Sequence, residues 1–271
     1  MSIREIREQL ASSALRPQRR FGQNFLHDRN MACWIVDSAL QNLSLPWRVW
    51  EVGPGLGVLT ALLLERGAGV RAVEIDRGLA GILRDRFRGE ARFQLCEGDV
   101  LREEWPDPVA DWILIGNLPY SISGPFLASL FRQRASFRRV VVTLQREVAE
   151  RLVAKPRQDA YGSLSVMGQS TYRVDIRKRL PPSVFYPAPK VESALICLEP
   201  LGEVRIPPED REDFCSFVRE SFQQRRKSLG RRWSRGERRR PEELSVAEWV
   251  SAYRELRKAA PAETGGSFGL T

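Results

Sequence analysis

Val49-Trp50-Glu51-Val52-Gly53-Pro54-Gly55-Leu56-Gly57 is the stretch whose reading decides the fold. A β-branched and aromatic run stops at three alternating glycines, and an amphipathic helical pattern follows from Leu59 to Arg66. A strand that passes into a helix through such a loop presents backbone without side chains, which a ligand can approach closely. Position 58 holds valine, so the G-x-G-x-x-G spacing that seats a dinucleotide pyrophosphate is not met. A tight strand-to-helix turn with no ligand is the structural alternative.

The same alternation continues outward. Val70-Arg71-Ala72-Val73-Glu74-Ile75 reads as a strand and Gly78 to Arg88 as a helix. Further strand candidates are 92–98, 111–116, 139–145, 165–176 and 193–200. Strands alternating with helices signal a parallel α/β sheet, and the last two candidates, joined by a loop, fit a closing antiparallel pair. From about Pro207 the chain reads as short helices, with Phe214, Phe217, Val218 and Phe222 at helical spacing behind an acidic start. Ser245 and Glu248 form a capping-box pattern at the head of a second amphipathic segment. This divides the chain into an α/β domain over 1–201, with residues 1–30 as a segment ahead of the first sheet strand, and a small helical domain over 202–271. The small, polar tail after Ala260 reads as loose.

The 271 residues carry a net charge of +9, which favours a polyanionic partner. Arginine dominates the basic runs Arg16 to Arg20, Arg225-Arg226-Lys227 and Arg238-Arg239-Arg240, and its planar fork suits phosphate contact and base stacking. A solvated helical face is the alternative. The four cysteines form no C-x-x-C pair and His27 is the only histidine, so neither a zinc site nor a disulfide framework is expected. No apolar run approaches bilayer length and the first residues lack a signal-peptide core, which places the chain in the cytosol with no membrane partner.

Two carboxylates follow the glycine loop at successive strand ends. Glu74 stands where it can accept from both ribose hydroxyls of a nucleoside cofactor, ahead of Asp76 in that role. Asp99 stands where it can accept from an adenine amino group. The strand Ile113-Leu114-Ile115-Gly116 then breaks into Asn117-Leu118-Pro119-Tyr120. An exocyclic adenine amine is a poor nucleophile because its lone pair is delocalised, so an enzyme has to hold its N–H groups in acceptors that favour a tetrahedral nitrogen. The Asn117 side-chain oxygen and the Leu118 carbonyl are candidates. Pro119 stiffens the loop and Tyr120 offers a face for an extruded base. Phe185 is the candidate for the opposing aromatic wall, with core packing as the competing account. An Asx-turn with a packed tyrosine is the alternative for the tetrapeptide.

The glycine-loop spacing resembles that of class I methyltransferases, and the whole set resembles one family, the ribosomal RNA adenine N6,N6-dimethyltransferases. The matching segments run from Phe21-Gly22-Gln23-Asn24-Phe25-Leu26 through the glycine loop, Glu74-Ile75-Asp76, Asn117-Leu118-Pro119-Tyr120 and Gln145-Arg146-Glu147-Val148-Ala149-Glu150-Arg151-Leu152. They continue to Pro187-Ala188-Pro189-Lys190-Val191-Glu192-Ser193 and Phe222-Gln223-Gln224-Arg225-Arg226-Lys227. Ala188 departs from the usual proline. The resemblance implies a Rossmann-like α/β fold with a seven-stranded, mostly parallel sheet and a small C-terminal helical domain, S-adenosylmethionine as cofactor, and no metal. It implies dimethylation of two adjacent adenines in a hairpin near the 3′ end of small-subunit ribosomal RNA, on an immature 30S particle, by a monomer. It places Gln23, Asn24, Leu26, Gly53, Gly55, Glu74, Asp99 and Asn117 on the cofactor side, and Asn117 and Tyr120 at the methyl acceptor.

Other readings stand beside it. A large-subunit adenine methylase of the macrolide-resistance type shares the pocket; the leucine of the tetrapeptide and Arg225-Arg226-Lys227 resemble the small-subunit group more. A non-catalytic RNA-binding assembly or transcription factor needs no Glu74, Asp99, Asn117 and Tyr120 together. A nicotinamide dehydrogenase is disfavoured by Val58.

Overall fold

The computed structural model describes residues 1–18, 22–107, 111–133, 137–223 and 239–259. The chain begins with α1 (Ile3–Ser12), the two-residue strand β1 (Phe25–Leu26) and α2 (Arg29–Leu40). An alternating series follows: β2 (Arg48–Val52), α3 (Val58–Glu65), β3 (Gly69–Glu74), α4 (Arg77–Arg86) and β4 (Phe93–Glu97). It continues through β5 (Ile113–Asn117), α5 (Ser123–Arg132), β6 (Arg139–Gln145), α6 (Arg146–Val153), α7 (Ser163–Thr171) and β7 (Tyr172–Leu180). The short strand β8 (Phe185–Tyr186), β9 (Ser193–Pro200), α8 (Arg211–Gln223) and α9 (Val246–Ala259) complete it.

Seven strands pair in the order β4-β3-β2-β5-β6-β9-β7, parallel from β4 to β6 and antiparallel at β6-β9 and β9-β7. The expected mostly parallel seven-stranded sheet is therefore present. The chain winds outward in one direction through β3 and β4, then returns to add β5 on the other side of β2. The strand order reverses between β2 and β5, and crevices that bind ligands open at such a point.

Both faces of the central strands are covered, which explains why β5, β6 and β9 are apolar almost throughout, whereas the edge strands β4 and β7 are partly exposed. Successive side chains point to opposite faces, so Val49, Ile113, Ile115 and Val141 pack against α2 and α3. Trp50, Leu114, Val140 and Val142 pack into the other layer with Phe126 and Phe131 of α5. Phe214, Val218, Trp249 and Tyr253 of α8 and α9 belong to that same apolar cluster. Tyr161 ties the C-terminal helices down by donating to the Leu244 carbonyl at 2.8 Å. The Ser245–Glu248 capping box forms at the head of α9, with Glu248 accepting from both the amide and the hydroxyl of Ser245.

One strand expectation fails over part of its length. Residues 165–171 belong to α7, and the strand runs from Tyr172 to Leu180. Ser165 Oγ accepts from the Gly162 amide at the helix head, and Gly168 presents no side chain where the Phe131 ring packs against the helix. A β carbon at Gly168 would lie 3.0 Å from that ring. The close helix-helix approach overrides the β-branched content read from the segment. Among the described residues no helix is long and apolar enough to cross a membrane.

Candidate active site

The parallel strands end along one edge, and the loops leaving them converge on one cleft. Gly53, Gly55, Glu74, Asp99, Asn117 and Tyr120 all line it. Gly53 and Gly55 have left-handed backbone, φ +65° and +60°, which an L side chain rarely adopts. A β carbon at Gly55 would also come within 3.2 Å of the Phe25 ring. The turn therefore shows bare backbone to the cleft for a reason built into its geometry.

Glu74 is almost fully buried at the end of β3. Its two oxygens accept from the Asp76 amide at 2.9 Å and the Gly55 amide at 3.1 Å. Burial pushes its carboxyl up to about 7, against the opposing pull of those amides. Glu51, at the base of the same cleft, accepts from Thr60 Oγ1 at 2.7 Å and is likewise pushed up to about 7 by burial, with the Glu74 charge adding to the shift. Asp99 Oδ1 accepts from the Leu101 amide at 3.0 Å, which fixes the carboxylate at the mouth of the third loop.

Asp76 has a different task. Its Oδ1 caps α4 by accepting from the Gly78 amide at 2.9 Å and that of Leu79 at 3.3 Å. Its Oδ2 accepts from the side-chain amides of Gln18 and Gln23, both at 2.9 Å. Gln23 closes the arrangement by accepting from the Gln18 backbone at 2.8 Å. Gln23 thus borders the cleft as part of a brace that moors the segment ahead of β1 to the head of α4. Asn24 and Leu26 line the cleft beside it.

The tetrapeptide is held from several sides. Asn117 Nδ2 donates to the Asn24 carbonyl at 2.7 Å, which leaves Oδ1 as the acceptor end of the amide. The Leu118 side chain is buried in the layer beneath. The Pro119 carbonyl accepts from the Ile122 amide and from Ser123 Oγ, both at 3.1 Å, so the turn is locked onto the start of α5. Tyr120 is partly buried, and its hydroxyl lies 2.6 Å from Ser193 Oγ. Burial raises the phenol above its ordinary range.

Phe185 is the one residue of the expected set that the structure does not bring to the cleft. It pairs with Leu26 in the β1-β8 ribbon, is 3% exposed, and packs in the cluster with α2 and α3. The competing account, core packing, describes its position here. Conversely, the roles of Glu51 and Ser193 and the brace at Asp76 were not read from the sequence. A buried carboxylate one strand residue before a glycine turn was the available signal for Glu51. The Ser193 contact spans 73 positions and had none. Arg225, Arg226, Lys227 and Arg238 lie outside the described residues.

The family model for ribosomal RNA adenine dimethylase matches residues 14–263 of the chain. The chain belongs to this family. As a ribosomal RNA adenine dimethylase it is a methyltransferase of the S-adenosylmethionine-dependent class, acting on ribosomal RNA. The dimethylase is 43% identical over 218 residues to ribosomal RNA small subunit methyltransferase A of Syntrophotalea carbinolica, covering 79% of this chain and 80% of that one. Its fold is similar to that of a dimethyladenosine transferase from Plasmodium falciparum, with a TM-score of 0.73 at 22% identity, covering 86% and 98% of the two chains. It is also similar to the 23S rRNA methyltransferase ErmE, with a TM-score of 0.65 at 25% identity over 86% of this chain and all of the other.

Proposed function

We propose that this dimethylase converts two adjacent adenosines, in a hairpin near the 3′ end of small-subunit ribosomal RNA, to N6,N6-dimethyladenosine. It acts as a cytoplasmic monomer on an immature 30S particle, with no metal. The observation that carries the reading is the orientation of Asn117, whose amide nitrogen is occupied by the Asn24 carbonyl so that Oδ1 is left to accept at the cleft beside the glycine turn. The small-subunit assignment is supported by the name of the 43% identical relative.

The residues present fit the cofactor. Gly53 and Gly55 bring bare backbone to the cleft, Glu74 is placed to accept ribose hydroxyls, and Asp99 to accept from the adenine amine. When bound, S-adenosylmethionine supplies a methyl carbon that leaves its bonding electron pair on sulfur, so the acceptor amine needs no metal for activation. Asn117 Oδ1 and the Leu118 carbonyl take the N–H groups of the target amine and draw its lone pair out of conjugation. The amine nitrogen bonds to carbon, becomes cationic and sheds one proton to water, which restores a neutral amine for the second round. Tyr120 carries the extruded ring on its face. Residues 202–271 form the RNA-side domain in this reading, and Arg225, Arg226 and Lys227 contact phosphates.

The test is transfer of labelled methyl groups to immature small-subunit particles. Asn117→Ala is expected to lose about 100-fold or more in turnover, on the scale of deleting one preorganised polar group that faces a transition state, while still binding cofactor. Equal turnover in the variant would remove Asn117 from the mechanism. Mapping dimethyladenosine in ribosomal RNA from cells with and without the protein checks the site of modification.

A further inference from the structure

We infer that Ser193 fixes where the outer end of the Tyr120 ring lies, and through it decides how completely a target adenine is carried from one methyl group to two. The inference rests on the reading of Tyr120 as the platform for the base.

The two hydroxyls lie 2.6 Å apart across 73 residues of sequence, which is a short and well-formed hydrogen bond. The partners differ in how firmly they are seated. Ser193 is fully buried and is the first residue of β9, paired to Gln145 of β6 on one side and to Leu180 of β7 on the other. The residue before it is pinned as well. Glu192 accepts from the Arg146 amide at 3.0 Å through its carbonyl, and its carboxylate meets Arg146 Nη1 at 2.7 Å. Ser193 Oγ is therefore a fixed post carried by the antiparallel end of the sheet. Tyr120 sits on a turn, partly buried at the cleft, with its ring free to swing about the first side-chain torsion unless its outer end is held.

The first and second transfers make unequal demands on that ring. An unmethylated amine has two N–H groups, so either rotamer about the C6–N6 bond presents one to Asn117 Oδ1. After the first transfer only one N–H remains, and only one rotamer presents it while its methyl group has to clear the cleft. A base that rocks on a loose ring still satisfies the first condition and more often misses the second. The tether thus acts mainly on the second step, and Ser193 is a positioning residue acting through Tyr120.

The experiment compares Ser193→Ala, Tyr120→Phe, the double variant and Tyr120→Ala on immature small-subunit particles, with mono- and dimethyladenosine measured by mass spectrometry of nucleosides. Ser193→Ala and Tyr120→Phe are each expected to raise the mono-to-di ratio about three- to tenfold, the scale of removing one neutral hydrogen bond. The double variant should match the singles, because both remove one interaction. A wild-type ratio in both single variants overturns the inference, as does a uniform loss of both products, which a purely structural role would give. If Ser193→Ala does not fold, Tyr120→Phe decides alone: a raised ratio supports the tether and an unchanged one overturns it. Tyr120→Ala separates the platform from its tether. Wild-type transfer there would sink the platform itself, whereas loss of transfer there with normal ratios in the others sinks only the role of Ser193.

Discussion

Glu74 keeps a carboxyl group where burial disfavours its charge, yet the role proposed for it, accepting from ribose hydroxyls, calls for the carboxylate. With the group pushed up to about 7, cofactor binding is expected to strengthen as pH rises through about 7 and to level off above it. Glu74→Gln should bind about 10- to 100-fold more weakly, the scale of hydrogen bonds to a charged group, and with no inflection near that pH; titration calorimetry from pH 6 to 8.5 reads both. Glu51 shows the same raised value as a matter of stability. A folded carboxyl above its unfolded value adds stability that is complete below about 4.5 and is lost as pH rises through about 7. Glu51→Gln removes that dependence, so the urea midpoint of the wild type is expected to fall relative to the variant between pH 5 and pH 8. Glu74, Asp99 and Asn117 were legible in the sequence because each follows an apolar strand, where polar side chains reach a common edge. Phe185 was not, because an aromatic residue on a proline-rich loop fits a base wall and a buried ribbon equally well until the chain path is known.

Helix α4 illustrates how one element carries two duties. Its N-cap, Asp76, also moors Gln18 and Gln23, so the head of this helix holds the segment that borders the cleft. Asp76→Ala is expected to cost about 1 to 2 kcal/mol of stability through removal of the cap and to weaken cofactor binding as well. Asp28→Ala is the control. It removes the cap of α2, where Asp28 accepts from the Met31 amide at 2.8 Å, and should cost similar stability in thermal melts without changing cofactor affinity. The α7 segment shows why element type is harder to read than element edge. Val166 and Thr171 suit a strand by composition, but the packing of Gly168 against Phe131 joins helices far apart in sequence.

At the scale of the whole molecule, a net charge of +9 makes RNA binding a counterion-release process. Binding to a small-subunit RNA fragment is expected to weaken steeply with salt, and replacing Arg225, Arg226 and Lys227 with glutamine should flatten the log-log slope by about one unit for each phosphate left without its cation. An unchanged slope in a filter-binding or fluorescence titration would return these residues to a solvated face. The C-terminal helices share one apolar cluster with the sheet, so their truncation after residue 201 would expose Trp50's layer as well as remove charge.

The alternation of strands and helices through β6, the glycine turn and the residues at the strand ends could be read from the chain alone, because all of them follow from local periodicity and from backbone that only glycine adopts readily. Which groups meet across distance was decided by tertiary structure. The Asn117–Asn24 hydrogen bond, the mooring of Gln23 on Asp76, the burial of Phe185 and the Tyr120–Ser193 bond each join segments well separated in the chain. Periodicity reports the face on which a side chain lies, but a hydrogen bond of under 3 Å depends on how whole elements are stacked, and that is a property of the packed core.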